Sequence, residues 1–369
     1  MTVPALNGSS PPTPAEVDRL ALKVDDLVQE FRVRRRGEAT KATVSAVDGV
    51  SLEIPVGQTY AIVGETGSGK STFARAVIGV PPPKAGRVVI AGEELSGKGR
   101  RTARRRGELV QMVFQDPTAA LDPKWSARRI VGEPLRIRRQ LDRASRAARV
   151  NEMLSLVGLD PMRFGERRAS ELSGGQAQRV AIARALVASP QLVICDEPVT
   201  ALDVSIQAQI LSLLYELKRE FSLTYLLIAH DLAVVRILSD RVGTMYLGTI
   251  CEEGATDAIF NDPAHPYTVA LLSAIPKRHS TQAGTRIRLL GEPPSPFAPP
   301  SGCRFRTRCA YAQDLCAHVK PELRELRPGH KVACHFPLTR DGYAPGHEPG
   351  RRDTGGSGGT PNASTTEGG

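Results

Sequence analysis

"YAIVGETGSGKSTFARAVIGV", Tyr60–Val80, is the stretch on which the fold turns. Its apolar start reads as a buried strand, its glycine-rich centre as a turn and "TFARAVIGV" as a helix. The turn fits G-x-x-x-x-G-K-[ST] through Gly64, Gly69, Lys70 and Ser71. Small residues there let backbone N–H groups converge on phosphate at a helix N-terminus, where the dipole favours negative charge. Lys70 supplies a point charge for the β- and γ-phosphates, and the Ser71 hydroxyl suits magnesium. A glycine-rich turn can match by chance, but a strand before and a helix after are the context this chemistry requires. The candidate nucleotide contacts are therefore Gly64, Glu65, Thr66, Gly67, Ser68, Gly69, Lys70, Ser71 and Thr72.

Three other strand-like stretches end on polar groups. "QLVICDEPVTALD" (Gln191–Asp203) is an apolar run that closes on two acids. It reads as a buried parallel strand with carboxylates at its carboxyl end, where doubly wound sheets bind ligands. Asp196 is placed to hold hydrated magnesium and Glu197 to polarise an attacking water. An acid pair that merely caps a helix is the bland alternative. "LTYLLIAHD" ends in His230, which reads as a γ-phosphate contact, although a lone histidine is usually structural. Gln115, after the apolar part of "VQMVFQDP", offers an amide that can reach both metal and water.

"ELSGGQAQRVAIARAL" opens a helix at Ser173, Gly174, Gly175 and Gln176, a second turn suited to phosphate. One nucleotide needs one phosphate loop, so the second anion site is expected to serve a nucleotide held by a partner subunit.

Together, "GETGSGKST", Gln115, "LSGGQ", "CDEP", "ALD" with Asp203, and His230 resemble the ATP-binding cassette (ABC) family of ATPases, in that family's order. The resemblance implies an α/β phosphate-loop NTPase core over residues 20–260, with a mixed, mainly parallel sheet. It implies a helical subdomain over about 116–189 and head-to-tail dimers that sandwich two ATPs. Carried over residue by residue, Lys70 and Ser71 bind phosphate and magnesium, Gln115 senses the metal and Asp196 holds magnesium. Glu197 is the general base, His230 contacts the γ-phosphate, and Ser173–Gln176 serve the opposite ATP. The family usually stacks adenine on an aromatic upstream of the phosphate loop. "RRRGEATKATVSAVDGV" has none, which leaves Phe31 or the aliphatic Val44.

"NDPAHPYTVALLSAIP", "GEPPSPFAPPSGCRFRTRC" and "GHKVACHFP" resemble the C-terminal extension, here 261–338, of oligopeptide/dipeptide importer ATPases, and most closely their F-type subunit. The implied partners are two membrane permease subunits, a related ATPase subunit or a second copy of this chain, and indirectly an extracytoplasmic peptide-binding protein. The implied place is the cytoplasmic face of the cell membrane, as a peripheral subunit. An importer for nickel or another solute, a soluble ABC ATPase acting on nucleic acid or ribosomes, and a regulatory ATPase are the alternatives.

No apolar run approaches the ~18 to 20 residues of a membrane span, and the polar N-terminus does not read as a signal peptide. The formal charge of +10 rests on arginine, with clusters at "RRTARRR" and "RIRRQLDRASRAAR". A solvated surface, an anionic membrane leaflet and nucleic acid compete to explain it. With no interleaved aromatics or nucleic-acid module, nucleic acid is not expected as a partner. Residues 1–19 and 339–369 are too poor in apolar side chains to offset chain entropy and are expected to be disordered.

Four of the six cysteines, Cys303, Cys309, Cys316 and Cys334, lie beyond the ATPase core. Disulfides suit a reducing cytosol poorly. Zinc usually takes ligands in pairs two to four residues apart, closer than these, whereas four-cysteine ligation is the usual mode for iron–sulfur centres. The family resemblance points to a 4Fe-4S cluster, with zinc and free thiols as alternatives and a structural role foremost. Cys195 and Cys251 are expected to take no part.

Overall fold

A computed structural model describes residues 19–34, 41–138, 141–275, 291–339 and 342–343. Most of the two expected disordered segments, 1–18, 340–341 and 344–369, lies outside them. Leu338–Thr339 and Gly342–Tyr343 form an antiparallel pair, and the Leu338 amide donates to the Ala264 carbonyl at 2.8 Å. Regular structure therefore runs a few residues past the expected start of the tail.

The strands in chain order are β1 (Leu20–Arg34), β2 (Lys41–Pro55), β3 (Thr59–Val63), β4 (Ala85–Ile90), β5 (Glu93–Glu94), β6 (Val110–Val113) and β7 (Leu192–Asp196). They continue with β8 (Tyr225–Ala229), β9 (Arg241–Tyr246), β10 (Thr249–Ala255), β11 (Arg324–Arg327) and β12 (His330–Val332). One antiparallel sheet has the order β2-β1-β4-β5. The other is mixed and eight-stranded, β11-β12-β10-β9-β3-β8-β7-β6. In it β6, β7, β8, β3 and β9 run parallel, while β10, β12 and β11 add an antiparallel edge. The extension is thus continuous with the sheet of the ATPase core.

The sequences of the central strands explain their position. Every residue of β3, β7 and β8 is buried, as a strand covered on both faces requires. Alternation sends Tyr60, Ile62, Leu192, Ile194, Leu226 and Ile228 to one core, with Phe73 and Val77 of the helix Lys70–Val77 and the antiparallel sheet. Ala61, Val193, Cys195, Tyr225 and Leu227 face the other core, with the helices between β6 and β7. Each such aliphatic side chain contributes about 1.5–3 kcal/mol by leaving water.

The carboxyl ends of β3, β8, β7 and β6 share one edge of the sheet, and they deliver Gly64, His230, the Asp196–Glu197 pair and Gln115. Between β6 and β7 lie the helices Pro117–Ala120, Ala127–Arg138, Arg143–Leu156, Pro161–Phe164 and Gly174–Leu186.

Many of the clustered arginines have partners inside the chain. Arg106 is buried and donates to the Leu95 carbonyl at 2.7 Å; Arg105 pairs with Glu93 and Glu108; Arg138 donates to the Ala188 carbonyl at 2.5 Å. Arg106 and Arg138 therefore clamp the fold through backbone carbonyls.

Candidate active site

Two glycines shape the phosphate loop. A Cβ on Gly64 would lie 2.2 Å from the Met245 carbonyl oxygen, and one on Gly69, at φ 106°, would lie 2.2 Å from that of Ala46. Lys70 is 5% exposed, and its ammonium donates to the carbonyls of Gly64 and Glu65 at 2.7 and 2.9 Å. Burial lowers its pKa, and the carboxylates of Glu197, Asp196 and Glu65 oppose that shift. Ser68 is buried, whereas Thr66 and Gly67 are exposed and Ser71 and Thr72 half-buried. The Ser71 hydroxyl donates to Asp196 Oδ1 at 2.9 Å, which joins the phosphate loop to the acid pair. Burial raises the pKa of Asp196, against the Ser71 bond and the charges of Arg75 and Lys70. A magnesium ion beside these two oxygens would stabilise the carboxylate.

Glu197 gathers the rest. Its Oε2 accepts from Gln115 Nε2 at 3.0 Å and from the Thr200 hydroxyl at 3.2 Å, and lies 3.1 Å from His230 Nδ1. Its backbone is left-handed, φ 48°, a conformation that costs a non-glycine residue about 1–3 kcal/mol and clusters at functional sites. Gln115, Glu197 and His230 come from three different strand ends. Thr200 was not singled out in the sequence, where only its place three residues after Glu197 marks it.

Ser173 caps the helix Gly174–Leu186. It accepts from the Gln176 amide, and its own amide donates to Gln176 Oε1 at 3.0 Å. A Cβ on Gly174 would meet Leu202 at 3.2 Å, and one on Gly175 would meet Ile206 at 2.7 Å. The glycines thus let this turn pack on the segment after the acid pair. Ser173 and Gly174 are exposed, as are Asp203 and its neighbour Val204, which is 82% exposed. The two glycine-rich turns of the chain are built on different elements.

The four cysteines line one cavity with His265, Phe305 and Phe336. The Cys303 amide donates to the Cys316 carbonyl at 2.8 Å. Burial raises the Cys309 thiol to about 11 and Cys334 to about 12, and the charges of the neighbouring thiolates add to both. Among the described residues no group of three or more His, Cys, Asp or Glu side chains forms a metal-ion site. Cys251 packs into the same aromatic cluster as Cys303 and Cys309, nearer to them than its place in the ATPase portion suggested, but does not line the cavity.

A chain with this glycine-rich loop, acid pair, glutamine, histidine and second glycine-rich turn belongs to the ATP-binding cassette family of transporter ATPases. The family model described as ABC transporter matches residues 47–200. A second model, described as the C-terminal region of oligopeptide/dipeptide transporters, matches residues 251–316.

The oligopeptide transport ATP-binding protein AppF of Bacillus subtilis is 48% identical over 85% of this chain and 97% of its own length. The corresponding protein OppF of Salmonella typhimurium is 46% identical over 86% of this chain and 97% of its own. The di/tripeptide transport protein DppF of Pseudomonas aeruginosa is 44% identical over 85% and 97%. Among solved structures, the dimeric cassette MJ0796 bound to ADP and phosphate superposes with a TM-score of 0.57. It is 28% identical and covers 64% of this chain and 98% of that one.

Proposed function

We propose that this chain is the ATP-hydrolysing motor subunit of an importer that carries di- or oligopeptides across the cytoplasmic membrane. The observation that carries the reading is Glu197 Oε2, shared by Gln115, Thr200 and His230 beside the Lys70 and Ser71–Asp196 bonds. Glu197 acts as general base, His230 meets the γ-phosphate, and Gln115 links metal and base. Lys70 and the loop amides hold the phosphates, while Ser71 and Asp196 hold magnesium. Adenine rests on Phe31 and Val44. These two face each other across β1 and β2, two residues from the Ala46 carbonyl that Gly69 approaches.

Ser173–Gln176 and Asp203 complete the nucleotide site of a second ATPase subunit, either a related chain or another copy. Their exposure and the dimeric relative support this. Reconstituted with permeases and that subunit, the complex takes up peptide when supplied with ATP, and peptide-loaded binding protein raises its ATPase rate. Nickel uptake in place of peptide uptake, or stimulation by nucleic acid, would overturn the substrate.

The permease side falls to a groove of about 700 Å³ between the ends of Lys70–Val77, Arg100–Leu109 and Ala127–Arg138. Val80 and Ile137, 63% and 69% exposed, line it, and Met112 and Phe114 lead from it directly to Gln115. A cytoplasmic helix of a permease seated there can move the amide that bonds Glu197. Ile137→Asp is expected to weaken co-purification with the permeases by about tenfold or more, as for a central interface residue. ATP binding by the isolated chain should not change. Undiminished permease association would exclude this groove.

The four cysteines ligate a 4Fe-4S cluster. The reading is supported by four thiols that line one cavity with an apolar rim, four-cysteine ligation being the usual mode for such clusters. The thiols must ionise to bind, so loading releases protons. The cluster would staple a segment whose own core is small.

A further inference from the structure

We propose that Arg308 and Tyr267 are positioning residues for the phosphate loop, forming a strut by which the cysteine segment holds Glu65 in place and neutralises its carboxylate beside the ATP phosphates. The inference rests on the ATP-binding reading above and deepens it.

Glu65 is the residue after Gly64, and three of its groups are held. Its carboxylate takes both arms of the Arg308 guanidinium, at 2.6 and 3.0 Å. Its amide donates to the Tyr267 hydroxyl at 2.7 Å, and its carbonyl accepts from Lys70 at 2.9 Å. The Arg308 side chain is 6% exposed and Tyr267 is fully buried, so neither anchor is a surface ion pair that water screens. A forked guanidinium–carboxylate pair fixes direction as well as distance.

The anchors are themselves held. The rings of Tyr246, Tyr267 and Phe305 pack with centroids 4.8 to 5.4 Å apart, and Cys303 and Cys309 border that cluster. Arg304, next to Cys303, bonds the Leu247 carbonyl and Asp48, and the neighbouring Gly248 amide donates to the Ser68 carbonyl at 2.8 Å. The five residues between Cys303 and Cys309 thus reach the phosphate loop at Glu65 directly and at Ser68 by way of Leu247 and Gly248.

Two consequences favour ATP. A loop already held in shape has less freedom to lose when its amides converge on phosphate. A carboxylate next to the phosphates repels them unless a cation offsets it, and Arg308 is the paired cation.

The test measures MgATP affinity on the full-length chain and ATP KM and kcat in the assembled transporter. Arg308→Ala should weaken MgATP binding by about ten- to a hundredfold, the range for losing a hydrogen bond to a charged group. KM should rise while kcat stays within about twofold, the signature of lost binding common to ground and transition states. Arg308→Lys keeps the charge without the fork and should fall between. Adding Glu65→Gln to Arg308→Ala should recover part of the loss, because the unpaired carboxylate is gone. A merely structural role predicts no such recovery.

Should Arg308→Ala prove insoluble, Arg308→Lys and Tyr267→Phe carry the measurement, each with weaker MgATP binding expected. Wild-type affinity in the Arg308 variants, or losses that simply add in the double variant, would overturn the strut. Lys70→Ala separates the two levels. If it too binds MgATP normally, the ATP-binding reading itself has failed.

Discussion

Glu197→Gln in the assembled transporter is expected to retain ATP binding and to lose turnover by about 10²- to 10⁴-fold, the usual cost of removing a general base. The exchange preserves size and the left-handed backbone at φ 48°, so it should add no strain. The amide oxygen of glutamine can still accept the bonds that Gln115 and Thr200 give Oε2. What disappears is the lone-pair basicity that takes a proton from the attacking water. Because Lys70 and the Ser71–Asp196 bond are untouched, nucleotide and magnesium should bind as before. Single-turnover hydrolysis and equilibrium ATP binding measured on one preparation separate the two. Near-normal hydrolysis would remove Glu197 from the chemical step and leave the three bonds to its carboxylate as structural.

The sequence made the central strands and their ends legible because each is short, wholly apolar and closed by a polar residue. The structure brings Gly64, Gln115, Asp196, Glu197 and His230 to one edge of the sheet, at or just beyond those strand ends. The glycines of the Ser173–Gln176 turn were legible as the start of a helix, but their packing on Leu202 and Ile206 was not, since it depends on where two helices start.

What the sequence hid was long-range. Arg308 and Tyr267 meet Glu65 from 243 and 202 residues away, and nothing in "RTRC" or "HPYT" marks a partner in the phosphate loop. The addition of β12 to β10 was hidden for the same reason. "HKV" is only three residues long, and its place is secured by the buried bond of His330 to Glu252 at 2.7 Å. Glu252 also accepts from the amides of Ala264 and His265, so one buried carboxylate ties the extension to the core.

That tie bears on the cysteine centre, where the second large effect is expected. Anaerobically purified protein should be brown and hold iron and acid-labile sulfide at about four each per chain, the content of one four-iron cluster. Cys309→Ser should abolish both, because a serine hydroxyl is a poor substitute for a thiolate in a set of four. Cys195, whose thiol burial raises to about 12, lies on the other core, and its serine variant should keep the iron. Cys309 follows Arg308 directly, so losing the cluster should also loosen the guanidinium on Glu65 and weaken MgATP binding in the direction of Arg308→Ala. The two readouts are independent: iron content reports the centre, and nucleotide affinity reports its reach. A colourless anaerobic preparation with one zinc per chain would assign the site to zinc, and one with no metal would leave four free thiols. Iron loss with unchanged MgATP affinity would confine the cluster to stapling its own segment, with Arg308 held by the aromatic cluster alone.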